Sequence, residues 1–477
     1  MKNWIHITGV CGKATSLVAY MFKDLGWFVT GSDIQYFPPA SDFLVKNKIP
    51  HAEGYTFKHL TKNFWLKLGY IPPKDNPDIC MVISTVSRNN PELKYAMARN
   101  IKVMPMSQIL GEYLVKKESI VVVGSSGKTT TTAMCAFALS KLGYNPSFMI
   151  GADVLDFEYS ISNTDSIWSV VEGDEYHNID PIIEGKPKFM EYKPKYIILT
   201  NLNWEHQDVF KTFENYLDAF ADLIRLLPED GLLVYNQDDA NISKLLTTIS
   251  DEIRPRMISF GEGVKSNYFY KYSIDNSKTK FVLHKNKQEI CRGETTLLGS
   301  YNIANITAVF ALLDSLGLNL TNFSEIISKF RGVRKRLEIL FQSENLVVID
   351  DFGVAPSRAK RTLETIKKYY PDKKIVVVFD PNAGSRIKDK SVFKEVYENS
   401  FQHADFLYIP ELSNFDENLL SRDKMIEYLK EMNFKVFETL EWLEEIKSIV
   451  KKEQCVVVFL SSYRLTKISH DFAKKFL

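Results

Sequence analysis

Short apolar runs recur along the chain, and amphipathic stretches separate them. The runs lie at 4–8, 79–85, 120–124, 196–201, 346–351, 374–380 and 455–462. Parallel strands covered by helices on both faces are apolar on both faces, so they appear as such runs and not as alternating patterns. The pattern therefore predicts an α/β fold built on parallel sheets.

One segment departs from this pattern. From about Tyr268 to Leu298 the apolar residues are few and alternate with polar ones, and Asp275-Asn276-Ser277 and Lys285-Asn286 have turn composition. Alternation with short turns is typical of antiparallel hairpins. We expect a small antiparallel section appended to the central sheet, followed by a helix that ends at Gly317.

Glycine-containing loops follow three separate strand patterns, near residues 9, 124 and 353. A chain of 477 residues exceeds the length of one ordinary core. Polar seams lie at 112–119 and 336–345. We therefore expect three α/β domains in series. Their predicted bounds are 1–112 for a Rossmann-like domain, 113–338 for a central P-loop ATPase-type domain and 339–477 for a second Rossmann-like domain.

Charge and composition exclude several classes of protein. The chain has 60 basic and 59 acidic residues, so it lacks the basic excess of a nucleic-acid binder. No run of 18 apolar residues and no signal-peptide core is present. The five cysteines show no paired spacing, which is typical of a reducing compartment. We expect a cytoplasmic protein without nucleic-acid or membrane partners.

The segment "VVVGSSGKTTTT" at 121–132 predicts a phosphate site. A strand, a glycine turn and a helix N-terminus aim backbone N–H groups at an anion. Lys128 would reach the β and γ phosphates, and the Thr129 hydroxyl would reach Mg²⁺. A full Walker A motif would have glycine at position 122, where Val122 stands, so the loop is a shorter variant. A chance Gly-Lys-Thr in an ordinary turn is the alternative interpretation.

Acidic residues and a histidine follow two further strand patterns, at 170–178 and 201–210. These residues are Glu172, Asp174, Glu175, His206 and Asp208. The carboxyl ends of parallel strands meet at one edge of a sheet, where ligands bind. Mg²⁺ prefers carboxylate oxygens, so Glu172 is the natural ligand, whereas an imidazole is a less usual one. Solvated acids at helix starts are the alternative interpretation.

Six motifs together resemble those of one family. They are "GSSGKTTTTAM", "VEGDE", "NLNWEHQD", "GSYNIANITAV", "GVRKRLE" and "VVIDDFGVAPS". In this order and spacing the chain resembles the Mur ligases, which join amino acids or peptides to UDP-N-acetylmuramic acid. Their phosphate loop has the short Gly-x-x-Gly-Lys-Thr form, which accounts for Val122. The resemblance implies an ATP-dependent amide ligase that uses Mg²⁺.

The amino-terminal motifs favour one branch of this family. "GSDIQYFPPAS" at 31–41 and "SRNNPE" at 87–92 are similar to segments of the murein peptide ligases. Those enzymes attach the tripeptide L-Ala-γ-D-Glu-meso-diaminopimelate to UDP-N-acetylmuramate. The alternatives are the branch that adds L-alanine, a catalytically silent protein that only binds nucleotide or UDP-sugar, and a generic P-loop ATPase, which would leave the glycine loop at 6–14 without a role.

The resemblance also implies the site residues. For the UDP-sugar they are Gly9, Gly12, Lys13, Ser32, Asp33, Ser87, Arg88 and Asn90. For ATP they are Gly124, Ser125, Ser126, Gly127, Lys128, Thr129, Thr130, Asn302, Asn305, Arg336 and Asp351. For the metal they are Thr129, Glu172 and His206, and the catalytic residues are Lys128, Glu172 and His206. A helix cap and a polar helix position are the alternative interpretation of Asn302 and Asn305.

The chain departs from the family pattern in several places. Val354 and Ala355 stand where the family has two histidines, and "DPNAGSRIKDK" at 380–390 replaces an Arg-containing family segment. His177 and Glu205 stand where the family has aspartates. These changes motivate the silent alternative. We nevertheless expect an active ligase with a peptide acceptor and altered acceptor tolerance. If the two family histidines are general bases, this chain either does without one, with the amine losing its proton to solvent, or uses His177 or Lys388 instead.

Overall fold

The structure is a computed structural model that describes residues 2–179, 184–206, 208–249, 256–275, 277–411, 418–439, 441–462 and 464–476. Gln207 of the "NLNWEHQD" motif and Asn276 of the predicted turn lie outside these residues. The chain divides into two compact units. The first is Met1–Lys271, Val282–Arg292 and Ile303–Phe330, and the second is Tyr272–Phe281, Gly293–Asn302 and Arg331–Leu477.

The amino-terminal part of the first unit is an alternating α/β segment. Its elements are β1 (Trp4–Thr8), α1 (Lys13–Asp24), β2 (Phe28–Asp33), α2 (Ala40–Lys46), β3 (His51–Glu53), a 3-10 helix (Phe57–Leu60), α3 (Lys62–Lys67), β4 (Ile79–Val82), α4 (Pro91–Ala98), β5 (Lys102–Pro105) and α5 (Met106–Tyr113). The strands pair in parallel in the order β3-β2-β1-β4-β5. Every residue of β1 is buried, as expected for a central strand covered on both faces.

The middle of the chain forms a larger set of elements. They are β6 (Glu118–Val123), α6 (Lys128–Lys141), β7 (Ser147–Met149), β8 (Ile161–Ser162), β9 (Trp168–Glu172), β10 (His177–Ile179), β11 (Glu184–Pro187), a 3-10 helix (Lys188–Tyr192), β12 (Tyr196–Leu199), α7 (Phe213–Arg225), β13 (Leu232–Asn236), α8 (Ala240–Ile249), β14 (Arg256–Gly261), β15 (Tyr268–Asp275), β16 (Lys278–Lys285), β17 (Gln288–Thr295), α9 (Ser300–Ser315) and α10 (Phe323–Ser328).

Ten of these strands form one sheet in the order β17-β16-β15-β14-β13-β12-β6-β9-β7-β8, and β10 and β11 pair separately. β6 lies between β12 and β9 in parallel, with Val122 opposite both Ile198 and Glu172. This register places the carboxyl ends of the three strands at the same edge of the sheet, and the candidate site begins there.

The predicted appendage at 268–298 is present as β15, β16 and β17 at one end of this sheet. β16 and β17 are joined by Asn286 and Lys287, which have φ of +48° and +70°. Positive φ at two central residues is the requirement of the hairpin turn that matches strand twist. β15 joins the rest of the sheet through a parallel pairing with β14, which the alternating pattern did not indicate.

The last part of the chain forms a third α/β segment, within the second unit. Its elements are β18 (Glu338–Gln342), β19 (Leu346–Asp351), α11 (Pro356–Tyr369), β20 (Lys374–Phe379), a 3-10 helix (Ala383–Ser385), α12 (Lys390–Tyr397), β21 (Phe406–Tyr408), α13 (Arg422–Glu431), β22 (Val436–Phe437), α14 (Trp442–Val450), β23 (Cys455–Leu460) and α15 (Thr466–Lys474). The sheet order is β18-β19-β23-β20-β21-β22, with only β18 antiparallel to its neighbour among the described pairs.

The predicted α/β fold class is confirmed: parallel strands alternate with helices in all three segments. The strands at the sheet centres are rich in β-branched residues that are almost fully buried, as in Val121–Val123 and Val456–Val458. Among the described helices, none is long and apolar enough to cross a membrane. The bounds 1–112, 113–338 and 339–477 remain our proposal for the domains.

Candidate active site

The phosphate loop, residues 124–128, runs from the end of β6 to the first residue of α6. Gly124 and Gly127 have φ of +131° and +85°, which side-chain-bearing residues rarely adopt. A Cβ at Gly124 would also lie 2.3 Å from Thr200 Oγ1. Both glycines are therefore required by the backbone, and the loop presents a helix N-terminus suited to an anion.

Asn201 holds the loop in place from the neighbouring strand end. Its carbonyl oxygen accepts a hydrogen bond from Ser125 N at 3.0 Å, and its Oδ1 accepts one from Ser126 N at 2.9 Å. The Asn201 amide group in turn donates to the Ser126 carbonyl oxygen at 2.9 Å. The sequence motif "NLNWEHQD" gave no role to Asn201. Its position directly after the β12 run is the signal that would have found it.

Lys128 points from the loop to a buried carboxylate. Its Nζ lies 3.1 Å and 3.0 Å from the two carboxylate oxygens of Glu175, and it also donates to the Gly124 carbonyl oxygen. Glu175 is fully buried. Burial raises the pKa of Glu175, and the neighbouring Lys128 opposes this shift without reversing it. The pair keeps an ammonium group at the floor of the loop.

The predicted metal residues Thr129 and Glu172 lie together. Thr129 Oγ1 donates to Glu172 Oε2 at 3.0 Å, and Gly151 N donates to Glu172 Oε1 at 2.6 Å. Gly151 was not predicted from the sequence. A Cβ there would lie 3.3 Å from both carboxylate oxygens, so the glycine leaves room for this carboxylate.

His206 lies beside different acids from Glu172. Its Nε2 is 3.7 Å from Glu175 Oε1. One ligand atom each from Glu175, Glu205 and His206 lie within 4.8 Å of one another, a grouping found among the described residues. The predicted metal set Thr129, Glu172 and His206 is therefore drawn from two neighbouring groups of donors. Both groups offer the hard oxygen ligands that Mg²⁺ prefers, so the residues fit such an ion.

The two remaining acids of these loops have other partners. Lys188 Nζ lies 2.8 Å from Asp174 Oδ2, and the Tyr176 hydroxyl donates to Asp208 Oδ2 at 2.8 Å. The Tyr176 hydrogen bond lowers the pKa of Asp208. Neither acid belongs to the groupings of donors around Glu172 or Glu175, so they form the rim of the site.

The amino-terminal glycine loop, residues 9–13, also packs closely against a neighbouring strand end, as the phosphate loop does. Gly9 has φ of +88°, and a Cβ at Gly31 would lie 2.5 Å from Val10 Cβ. The Ser32 carbonyl oxygen accepts hydrogen bonds from Gly9 N and Val10 N at 2.8 Å and 3.1 Å. The predicted residues at 9–12 and 32–33 are therefore adjacent, at the carboxyl ends of β1 and β2.

The other predicted UDP-sugar residues are Lys13, which ends this loop, and three residues that follow β4. Lys13 Nζ lies 3.1 Å from Asp153 Oδ2. Asn90 caps α4, since its Oδ1 accepts from Glu92 N at 2.8 Å. Ser87 Oγ accepts from Asn89 N at 3.1 Å. Arg88 is exposed.

The predicted ATP residues Asn302 and Asn305 fall in different units. A Cβ at Gly127 would lie 3.2 Å from Asn305 Oδ1, so Asn305 is adjacent to the phosphate loop in the first unit. Asn302 belongs to the second unit, is buried and donates from Nδ2 to the Leu298 carbonyl oxygen at 2.7 Å.

The second unit also contains Arg336, Asp351 and the loop with the replaced histidines. The Arg336 guanidinium lies over the Phe352 ring at 5.3 Å. Asp351 is buried and accepts from Leu337 N at 2.8 Å. Burial raises the pKa of Asp351. Val354 is buried, which is consistent with an apolar residue at this position.

Family models match three successive parts of the chain. The Mur ligase family, catalytic domain model matches residues 4–117, the Mur ligase middle domain model matches 122–313, and the Mur ligase, glutamate ligase domain model matches 335–462.

Individual relatives agree with these matches. The UDP-N-acetylmuramate--L-alanine ligase of Borreliella afzelii is 28% identical over 496 residues, which cover 98% of this chain and 98% of the relative. The corresponding protein of Desulforapulum autotrophicum is 28% identical over 411 residues, covering 86% and 83%.

Solved structures share the whole architecture. The UDP-N-acetylmuramate-alanine ligase of Thermotoga maritima has a TM-score of 0.76 and 26% identity, covering 99% of this chain and 98% of that chain. A murein peptide ligase from Psychrobacter arcticus has the same coverage with a TM-score of 0.64, and at 22% identity it shows the fold alone. The three family models together span most of the sequence in the order that the motifs predict. The chain belongs to the Mur ligase family of ATP-dependent amide ligases.

Proposed function

We propose that the chain uses ATP to join L-Ala-γ-D-Glu-meso-diaminopimelate to UDP-N-acetylmuramate. The observation that carries ligase activity is the grouping of Lys128, Thr129 and Glu172 at a phosphate loop of the family's short form. The peptide acceptor rests on the segments at 31–41 and 87–92, which resemble those of the murein peptide ligases.

The reaction has two chemical steps. A carboxylate oxygen of the muramyl group attacks the γ-phosphorus of ATP, the bond to the β-phosphate bridging oxygen breaks, and an acyl phosphate and ADP form. The acceptor amine then attacks the acyl carbon, loses a proton, and expels inorganic phosphate from a tetrahedral intermediate. The Lys128 ammonium stabilises negative charge on the transferring phosphoryl group, and the backbone N–H groups of the phosphate loop orient it.

Mg²⁺ fits the donors described above. Thr129 and Glu172 would hold one ion, and Glu175, Glu205 and His206 offer a second group of ligands. The ion supplies charge neutralisation at the phosphate oxygens when bound. Glu172 and His206 thus act as metal ligands in this proposal, and Lys128 contacts the phosphates directly.

The other site residues complete the proposal. Gly9, Gly12, Ser32 and Asp33 lie in or beside the first glycine loop and would form the UDP-sugar site, flanked by Lys13 and by the loop at 87–90. Asn302 and Asn305 would contact the adenine of ATP, and Arg336 and Asp351 would contact its ribose and phosphates. We also propose that the protein acts in the cytoplasm, where its nucleotide substrates are made.

L-Alanine is the second candidate acceptor. The curated relatives described above carry the name UDP-N-acetylmuramate--L-alanine ligase, as does the structure with the TM-score of 0.76. Phosphate release with ATP, UDP-N-acetylmuramate and either acceptor separates the candidates. We expect kcat/KM for the tripeptide to exceed that for L-alanine by roughly tenfold or more, because a larger acceptor offers more contacts to the transition state.

The reverse ratio would identify an L-alanine ligase. A third outcome is binding of ATP and UDP-N-acetylmuramate without amide formation from tripeptide, dipeptide or L-alanine. That result would favour the silent alternative, which the replacement of two family histidines by Val354 and Ala355 motivates.

A further inference from the structure

Glu92 is a fully buried carboxylate to which neither the motifs nor the proposed mechanism gave a role. Its Oε2 accepts hydrogen bonds from Thr8 Oγ1 at 2.8 Å and from Ser32 Oγ at 2.7 Å. Its Oε1 lies 2.7 Å from His59 Nδ1, and His6 Nε2 lies 3.4 Å from Oε2. Four side chains from three separate segments of the chain therefore meet at one carboxylate.

The environment favours the charged form of this group. Burial alone raises the pKa of Glu92, but the charge of His6 and hydrogen bonds from His59, His6 and Ser32 outweigh burial and lower it well below its usual range. An unpaired buried carboxylate would be costly, whereas one with several donors is stable and fixes the position of each donor.

Hydrogen bonds connect Glu92 with all three predicted UDP-sugar segments. Ser32 connects it to residues 31–33 and, through the Ser32 carbonyl oxygen, to Gly9 N and Val10 N. Asn90 accepts a hydrogen bond from the backbone N of Glu92 itself at 2.8 Å, which connects it to residues 87–90.

The Ser32 side chain is oriented away from solvent, so it does not contact a ligand directly. Ser32 is fully buried, and its hydroxyl proton is directed to Glu92. The side chain therefore acts through Glu92, while its backbone carbonyl oxygen holds the first glycine loop.

We infer that Glu92 is the positioning residue of the UDP-sugar site. Its carboxylate sets the relative placement of the segments at 9–12, 31–33 and 87–90, and it thereby determines the affinity for the UDP-sugar. This inference rests on the proposed function of these segments. It predicts an effect on one substrate only, whereas a carboxylate with a purely structural role would alter stability and leave affinity unchanged below the melting temperature.

The test is isothermal titration calorimetry on the full-length protein with two ligands, UDP-N-acetylmuramate and ATP. Glu92→Gln keeps the shape and removes the charge. We expect it to weaken UDP-N-acetylmuramate binding by about tenfold or more, since it disturbs hydrogen bonds to a buried charge. ATP binding should stay within about twofold of wild type, because distant sites act independently.

Ser107→Ala is the control. Ser107 is fully buried in α5 of the same α/β segment, and its Oγ accepts a hydrogen bond from Asn178 Nδ2 at 2.9 Å, whereas neither residue is a hydrogen-bond partner of Glu92 or of its four side-chain partners. This variant should lower the melting temperature but leave the Kd for UDP-N-acetylmuramate within about twofold of wild type.

If Glu92→Gln does not fold, Ser32→Ala takes its place in the test. Ser32→Ala should weaken UDP-N-acetylmuramate binding and leave ATP binding unchanged. Wild-type affinity in the folded Glu92 variant, or in Ser32→Ala when the former does not fold, would overturn the inference. Equal weakening in Ser107→Ala would overturn it too. If wild type itself does not bind UDP-N-acetylmuramate, the proposed function fails first and the inference falls with it.

Discussion

The two glycine loops of the first unit have the same spacing of glycines and lysine, but their lysines contact different carboxylates. "GVCGK" at 9–13 follows β1 and "GSSGK" at 124–128 follows β6, and the final lysine of each begins a helix. Ala14 follows the first lysine, whereas Thr129 follows the second. Lys13 lies beside Asp153, whose side chain is 51% exposed, whereas Lys128 lies beside the fully buried Glu175.

This difference shows what a loop needs beyond its glycines. The first glycine of each loop, Gly9 or Gly124, has a positive φ and a close neighbour. At the second glycine only Gly127 has a positive φ, whereas Gly12 is extended with φ of −82°. Only the second loop adds a hydroxyl, Thr129, that contacts a carboxylate of metal-ligand type, Glu172. We therefore propose that the first loop binds an anion without a metal ion and that the second binds a metal–phosphate group.

Each loop has a buried glutamate nearby, and the pKa values of the two glutamates are shifted in opposite directions. The pKa of Glu175 is raised, because burial dominates over Lys128. The pKa of Glu92 is lowered, because His6 and several hydrogen bonds outweigh burial. The carboxylate behind the phosphate loop therefore costs stability when ionised, whereas the one behind the amino-terminal loop contributes stability when ionised.

The largest expected effect is on kcat, and it distinguishes Lys128 from Lys13. Lys128→Ala should lower kcat by about 10²–10³-fold, since it removes a charge that stabilises the transferring phosphoryl group. Lys13→Ala should instead raise the KM for UDP-N-acetylmuramate with a much smaller change in kcat. Phosphate-release kinetics at saturating ATP measure both. Near-normal kcat in a well-folded Lys128→Ala would contradict the assignment of the phosphate loop.

The metal assignment predicts the next effect. Glu172→Gln should raise the Mg²⁺ concentration for half-maximal rate by roughly 10–100-fold, the usual range for disturbing a metal site. Glu175→Gln, the matched acid three residues further along in the loop after β9, should have a clearly smaller effect. Titration of the rate with MgCl₂ checks this, and equal shifts in the two variants would show that Glu172 is not the principal ligand.

Thermal unfolding should distinguish the two buried glutamates. Because the folded-state pKa of Glu92 is lowered, its stabilisation is present above the ordinary value of 4.5 and is lost as pH falls below it. At pH 7, Glu92→Gln should therefore lower the melting temperature by roughly 5 °C or more.

Ionisation of Glu175 has the opposite effect on stability from ionisation of Glu92. The raised pKa of Glu175 means that ionisation opposes folding above the ordinary value of 4.5, and an amide oxygen can still accept from Lys128. Glu175→Gln should therefore leave the melting temperature at pH 7 unchanged or slightly higher. Differential scanning calorimetry of both variants checks the pair, and a fall in Glu175→Gln as large as that in Glu92→Gln would refute the contrast.

The smallest expected effect concerns the second unit. Val354→His combined with Ala355→His should change kcat or the acceptor preference by about tenfold or less. This effect is below the roughly 10²–10⁴-fold that general-base assistance contributes, because Val354 is buried and the loop is not built to position an imidazole. The KM for ATP should change less than either. Steady-state kinetics with tripeptide and L-alanine provide the measurement. A change confined to the ATP KM would show that these positions serve nucleotide binding.

The sequence predicted the parts of this molecule that depend on local pattern. The runs at 120–124 and 346–351 are interior strands of their sheets, and the residues 124–128 form the predicted glycine turn between a strand and a helix. Contacts that cross between elements were not accessible in the same way. Glu92 appeared only as part of "SRNNPE", because nothing local shows that His6 and His59 meet it.

The same limit applies to the donors around the phosphate loop. Glu175 and His206 were named from their strand ends, but their mutual distance depends on how two loops fold. Gly151 was missed because its role, a backbone N–H donated to Glu172, leaves no chemical signature in the side chain.

The most direct test of the account follows one oxygen atom. UDP-N-acetylmuramate labelled with ¹⁸O in the muramyl carboxylate is incubated with the protein, ATP, Mg²⁺ and tripeptide, and mass spectrometry is applied to the phosphate and the sugar product. An acyl-phosphate ligase transfers one carboxylate oxygen to each phosphate that it releases as the amide forms. We therefore predict one ¹⁸O per phosphate together with the UDP-N-acetylmuramyl tripeptide. Unlabelled phosphate, or phosphate release without an amide product, would contradict the account.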